Sequence, residues 1–432
     1  MRLAIVNLFY PPDLAPSAHF AASLAEHRAG LGDEVTVICG KGSYLSGASA
    51  GLPPAGRSAE EEASSRMPHV IRLWTPALGR GSTLRRLGDY LAFLIGAVAR
   101  VETLPRQDVI IPLTSPPYAI VVAVAHRLLH RQTRIILWSH DIFPDAAEEY
   151  GTIKPRGVAS RFLRAVKRWL FRRVDHVVAL DRAMLDRELS QYASNGRPTG
   201  SVIPNWEPLA LFPAGARPRR WIAYEEPELA QRFVVLYLGN LGYGHPTDTI
   251  AEAASRLAGD DVAFLFVGGG VRYPELKEKA KRRSADNVIL RGYVPKEETP
   301  SVLAGASCTL VSLDERSLGI MSPCKLHAGL ASGVPVVYVG PAGTNVDEAI
   351  AAYRCGFSLR QGNVAGLVNA VRRVRDDREL ADEMSRNARR AFEDAYCDAR
   401  TLPRWDALLG ESPGTEGSSR RPREGSRPSG LP

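Results

Sequence analysis

The sequence predicts an α/β protein built from two parallel-sheet domains, and three features carry that prediction. Short apolar runs alternate with helical patterns through residues 1–205, the pattern of a parallel sheet covered on both faces. The rhythm lapses over 206–230, where prolines are scattered and Trp206 and Trp221 stand outside any strand pattern, and it resumes at Phe233. A chain of 432 residues with 45% apolar side chains is long enough for two cores of ordinary size. The expected order is a first domain over 1–205, a linker over 206–230, a second domain over 231–395, a closing helix over 396–410 and a disordered tail over 411–432.

In the first half, strands are expected over 3–7, 34–39, 70–74, 109–113, 134–138, 176–179 and 201–203. A helix over 16–30 follows the first of them. Its entry, FYPPDLAPSA, is a strand-to-helix loop at the carboxyl edge of the sheet, where open α/β domains bind ligands, and His19 sits there. A lone histidine in such a loop is more often structural than catalytic. The fifth strand runs into SHDIFPD, which brings His140, Asp141 and Asp145 to the same edge, where an imidazole and a carboxylate can orient or deprotonate a hydroxyl. Residues 41–67, rich in Gly, Ser, Ala and Pro around Glu60, Glu61 and Glu62, read as a mobile excursion.

Two further helices have a distinct character. Residues 84–98 are nearly apolar from Tyr90 onward, with Arg85 and Arg86 at the start. Residues 159–173 set Phe162, Leu163, Val166, Trp169 and Leu170 at helical spacing among Arg161, Arg164, Lys167, Arg168, Arg172 and Arg173. Such a helix suits the surface of an anionic membrane, and it equally suits packing on a sheet with its arginines in water.

From Phe233 the second half gives FVVLYLG, VAFLFVGGG, VILRG, CTLVSL and VPVVYVG as strands with helices between them. Two strands end in glycine turns, Gly239-Asn240-Leu241-Gly242 and Gly268-Gly269-Gly270, where missing side chains let backbone amides approach an anion. The segment SPCKLHAGLASGVP supplies a third anion-friendly turn. Ser322 is the expected N-cap, Pro323 the first helical residue, and Gly333 with Pro335 the stop. Lys325 then adds a positive charge in a first turn that usually prefers an acid.

Composition closes off several classes. No apolar run approaches the roughly 18 residues of a membrane span. The opening residues read as a strand without a signal-peptide cleavage region. The five cysteines include no C-x-x-C pair, which points to a reducing, cytoplasmic setting and against a disulfide frame or a zinc site. The net charge of +8 collects on one helix rather than in a groove lined with exposed aromatics, so no nucleic-acid partner is expected. No D-x-D stands at a strand end. A bound diphosphate would therefore be neutralised by backbone amides with Lys325 and His245, and no metal is expected.

In their order, FYPPDLAPSA, DVIIPLTSPP, WSHDIFPD, VIPNW, GNLGYGH, FLFVGGG, VILRGYVPKEE and SPCKLHAGLASGVPVV resemble the motifs of the retaining nucleotide-sugar glycosyltransferases of family four. The resemblance implies the GT-B fold, two Rossmann-like domains facing across a cleft, with the closing helix crossing back to the first domain. It implies a nucleotide-sugar donor on the second domain and a glycan, lipid-linked or small-molecule acceptor on the first, with no further cofactor. Residues implied at the donor are Gly239, Asn240, Leu241, Gly242, His245, Gly268, Gly269, Ser322, Pro323, Lys325 and Leu326, with the base near Arg291, Gly292, Tyr293 and Val294. Many members carry two glutamates where this chain has Ile320 and Ala328, and serine where it has Cys324. In this it is similar to relatives in polysaccharide assembly that lack the second glutamate. Lys325, Asp141, His140 and His19 are the candidates for catalysis. A non-hydrolysing sugar-nucleotide epimerase shares the architecture, and a silent partner subunit would share the sequence pattern; both stand as alternatives.

Overall fold

The computed structural model describes residues 1–13, 15–41, 67–76, 83–216 and 218–410. The excursion expected within 41–67 and the tail over 411–432 fall almost entirely outside the described residues.

Two sheets form, as the repeated rhythm predicts, and every ladder in them is parallel. In the first domain β1 (Arg2–Val6), β2 (Glu34–Gly40), β3 (His69–Leu73), β4 (Val109–Pro112), β5 (Arg134–Ser139), β6 (His176–Ala179) and β7 (Thr199–Val202) lie in the order β3-β2-β1-β4-β5-β6-β7. In the second, β8 (Phe233–Asn240), β9 (Val262–Gly269), β10 (Val288–Arg291), β11 (Cys308–Ser312), β12 (Val336–Val339) and β13 (Gly356–Leu359) lie in the order β10-β9-β8-β11-β12-β13. In both, the chain starts centrally, winds one way and then reverses, which is the doubly wound topology with its crevice at the reversal. Central strands are apolar throughout because helices cover both faces; Leu3, Ala4, Ile5 and Val6 are all sealed from water.

Right-handed crossovers decide which face each helix covers. Pro16–Gly30 links β1 to β2 in one direction. Thr83–Val101, Ile120–Leu129 and Val158–Phe171 accompany steps in the other direction, so they share the opposite face.

The segment 206–230 is built into both cores. Trp206 packs in the first, 5.9 Å from Trp138 and nearly parallel to it, and donates from Nε1 to Ser23 Oγ at 3.1 Å. Phe212, Ala223, Tyr224 and Leu229 belong to the second. The closing helix, Asp398–Gly410, lies against the first domain, with the Trp405 ring 4.6 Å from that of Trp138 and Asp406 paired to His27 and Arg28 at 2.9 and 2.8 Å. The two chain crossings run side by side: Glu207 N donates to Tyr396 O at 3.1 Å and Asp398 N to Glu207 O at 3.2 Å.

Away from this double crossing, the carboxyl edges of the sheets also meet. Ile142 N donates to Ile320 O at 2.8 Å, Arg187 to Leu318 O at 3.3 Å, and the Tyr150 and Tyr243 rings stack 5.9 Å apart.

Candidate functional site

The site is built first from backbone. Gly239, Gly268 and Gly270 take φ of +118°, +146° and +128°, a region in which a side chain is strained. The turns after β8 and β9 are laced together, since Leu241 N donates to Gly269 O at 2.7 Å and Arg272 N to Leu241 O at 3.1 Å. A Cβ on Gly268 would collide with the Gly239 carbonyl. The bond to Gly269 occupies the Leu241 amide, so among the expected donor contacts Leu241 serves the turn itself.

The helix of the third turn is Lys325–Ala331, with Cys324 at its N-cap and no side-chain cap. This corrects the expected start at Ser322 and Pro323. Asn345 Nδ2 donates to the Pro323 carbonyl at 3.2 Å, taking the acceptor that a helix beginning there would have used. Ser322 lies beside Asp181, the N-cap of the first-domain helix Arg182–Tyr192. The Leu326 side chain is sealed in the second core, so what it has to offer a ligand is its first-turn backbone amide.

Lys325 does not point at bulk water. Its Nζ is 3.1 Å from His245 Nε2 and 5.1 Å from the centre of the Tyr237 ring, and its Cε stands 3.6 Å from where a Gly239 Cβ would be. His245 Nδ1 is 2.6 Å from the Ser312 carbonyl, which can only accept. The proton is therefore on Nδ1, and Nε2 accepts from the ammonium. Burial lowers the Lys325 ammonium to about 8, and burial together with that neighbouring charge holds His245 well below its ordinary range. The result is a cation poised to lose its proton near neutrality, held on a neutral imidazole beside two glycine turns.

The nucleobase candidates are arranged differently. Arg291 forms ion pairs with Glu226 and Glu228, so its guanidinium is already neutralised. Gly292 has open space around it, Val294 packs on the second core, and the Tyr293 ring lies over Gly269 with its hydroxyl 3.3 Å from Asn240 Oδ1. Ile320 and Ala328 are buried apolar residues.

Across the cleft, the amides of His140 and Asp141 both donate to Thr114 Oγ1, at 3.0 and 3.1 Å. His140 lies between Phe20 and Trp138, with ring centres 6.1 and 5.2 Å away, and burial lowers it to about 3, so it is a neutral ring at any physiological pH. Burial raises the Asp141 carboxyl to about 6. Asp141 also bridges through backbone to Met321, in the segment that leads into the Lys325 helix. His19 lies apart from this pair electrostatically: burial lowers it, and its charged neighbours are Lys296, Glu207 and Glu297 beside the double crossing. Sequence reasoning missed Thr114, Ser312, Tyr150 and Tyr243. Of these, Thr114 inside DVIIPLTSPP and Tyr243 inside GNLGYGH stood within motifs of the resemblance without being singled out. Among the described residues no group of three metal-ligating side chains gathers.

Residues 17–206 match the family model described as a glycosyl transferase 4-like domain, and residues 232–377 the one described as glycosyl transferases group 1. The chain is 24% identical over 283 residues to the protein named "Probable glycosyltransferase WbjE" of Pseudomonas aeruginosa, an alignment covering 65% of this chain and 69% of that one. It is 25% identical over 384 residues to WcaI of Escherichia coli K12, which bears the name of a colanic acid biosynthesis glycosyl transferase, with 87% and 92% covered. The solved structure of Anabaena HepE in complex with UDP-glucose superposes with a TM-score of 0.65 at 15% identity, over 95% of this chain and 99% of that one.

Proposed function

The chain belongs to the GT-B glycosyltransferases, and from that premise we propose that it moves a sugar from a nucleoside-diphosphate donor to a hydroxyl of a glycan or lipid-linked acceptor, with retention at the anomeric carbon and without metal. The observation that carries this reading is the Lys325 ammonium, partly withdrawn from water and held 3.1 Å from neutral His245 beside the Gly239 and Gly268 turns. The diphosphate leaving group gains one negative charge as its bond to the sugar breaks, and a preorganised cation stabilises that charge without reorganising. Unlike a fully exposed lysine, this one is only partly hydrated, so its attraction for an anion is less screened.

In this reading the second domain holds the donor. The amides of Asn240, Gly242, Lys325 and Leu326 face the phosphates, and Tyr293 with Gly292 flanks the base. The first domain presents the acceptor, with the Asp141 carboxylate orienting its hydroxyl. His140, locked between aromatic rings with a very low pKa, serves to shape the wall rather than to move a proton. The crystallised binding of UDP-glucose by HepE supports a nucleotide sugar as donor, and the name of WcaI supports a glycan acceptor. Relatives named as glycosyltransferases do not favour the epimerase alternative.

A panel of nucleotide sugars tested for thermal stabilisation identifies the donor, since a ligand that binds only the folded state raises the midpoint by mass action. Turnover of the selected donor by Lys325→Ala then tests the site, and NMR of the product's anomeric proton tests retention. Wild-type turnover in that variant, or an inverted product, defeats the reading.

A further inference from the structure

The helical layer of the first domain turns its apolar side chains outward in a pattern that no core explains. Along Thr83–Val101, Leu87, Leu91 and Ile95 recur at every fourth position and are 49%, 50% and 70% exposed. Along Val158–Phe171, Val158, Phe162 and Trp169 are exposed on one face, while Lys167 of the same helix is buried and paired with Glu188 at 2.9 Å. This helix has placed an aromatic pair in water and a lysine in the core, the reverse of the usual order. Both helices lie on the same side of the sheet, with Ile120–Leu129 packed between them and its Leu128 and Leu129 also exposed. Exposed apolar side chains clustered on adjacent helices mark an interaction site.

The charges around it name the partner. Arg161, Arg168 and Arg172 share the exposed face with Phe162 and Trp169, and the stretch 158–172 contains no Asp or Glu. Arg173 stacks its guanidinium 3.8 Å over the Trp169 ring. No helix among the described residues is long and apolar enough to cross a membrane. We propose that this three-helix face lies on an anionic lipid bilayer, with Leu91, Ile95, Phe162 and Trp169 entering the interface and the arginines meeting lipid phosphates. A second copy fits the same surface poorly, because a two-fold contact would set these exposed arginines against their own copies. Helices that follow parallel strands begin at the carboxyl edge of the sheet, so the Leu87 and Val158 ends of the surface adjoin the cleft. An acceptor carried on a lipid would then arrive beside Asp141; that last consequence rests on the proposed function, whereas the docking itself does not.

Flotation of the full chain with vesicles tests the docking without reference to turnover. Vesicles of phosphatidylcholine mixed with phosphatidylglycerol are expected to carry the protein, and pure phosphatidylcholine vesicles to carry much less. Replacing Arg161, Arg168 and Arg172 by Gln together should lower partitioning about a hundredfold, at roughly fivefold for each charge, and remove the salt dependence. Phe162→Ser with Trp169→Ser should abolish flotation at any salt, and Leu91→Ser with Ile95→Ser should do the same. Ile222→Ser, an exposed apolar residue of the second domain, should change nothing. Matching melting curves confirm that each variant is folded. Absence of wild-type flotation, equal binding to neutral vesicles, or unchanged flotation of the serine variants overturns the proposal. So does sedimentation showing a dimer that Leu91→Ser dissociates.

Discussion

Replacing Lys325 by Met should cost activity and raise stability at the same time, because one buried charge governs both. The ammonium is lowered from 10.5 to about 8 by desolvation, so the folded state holds its proton less tightly than the unfolded chain does. Below pH 8 both states are protonated and folding bears the whole penalty; as pH rises through 8 the folded lysine releases its proton while the unfolded one keeps it, and stability climbs until about 10.5. The shift corresponds to about 3 kcal/mol, and partial exposure of the side chain reduces the expected gain to about 1–2 kcal/mol. Methionine has nearly the same length and no charge, so Lys325→Met should unfold at higher urea than wild type at pH 7, with the two converging near pH 10.5. Activity moves the other way. Losing a preorganised donor to a developing oxyanion costs about 10²–10³ in turnover. In the wild type, kcat/KM should fall above pH 8, where the lysine is about one-tenth protonated by pH 9, while kcat holds to higher pH because bound diphosphate restores the proton. Nucleotide release measured from pH 6 to 10, with urea titrations in parallel, checks both halves. A Met variant that turns over normally, or one less stable than wild type at pH 7, would refute the assignment of a desolvated cation at the donor.

Other outcomes follow from the same geometry. His245→Phe fills the space but removes the acceptor of the 3.1 Å contact, so the alkaline limb of kcat/KM should move below pH 8 and turnover should fall about tenfold. With its carboxyl raised to about 6 by burial, Asp141 should give kcat/KM an acid limb near pH 6, which Asp141→Asn should erase while lowering acceptor turnover and sparing donor affinity by calorimetry. Gly268→Ala, at φ +146° against the Gly239 carbonyl, should cost about 2 kcal/mol or more in urea and weaken donor binding in the same protein. Dialysis against a chelator should leave the initial rate unchanged; a rate that falls and returns with a divalent ion would overturn the metal-free reading.

Much of the fold was legible because parallel strands buried on both faces leave uninterrupted apolar runs. Strands such as His176–Ala179 and helices such as Pro16–Gly30 could be bounded from those runs and from Pro and Gly alone. The glycine turns and Lys325 were legible for a related reason, since a glycine at a strand end and a cation in a first turn each break a local preference. What escaped detection depended on partners distant in sequence. The helix of Lys325 starts later than its Ser-Pro signal because Asn345 claims the Pro323 carbonyl from another element. The segment 206–230 read as a linker because its strandless prolines gave no periodicity, yet Phe212 and Tyr224 are core residues. Lys167 is the clearest instance. By helical periodicity it belongs with the solvated arginines, but Glu188, on the neighbouring helix, supplies a buried carboxylate 2.9 Å away, and Tyr192 sets its ring 4.1 Å from the ammonium. That pair acts with the buried Ser160, Leu170 and Phe171 of the same helix to set the rotation of Val158–Phe171, which leaves Phe162 and Trp169 facing outward among the arginines. Lys167→Met with Glu188→Leu should keep the core filled, whereas Lys167→Ala alone should strand the carboxylate and destabilise the first domain by about 3 kcal/mol or more.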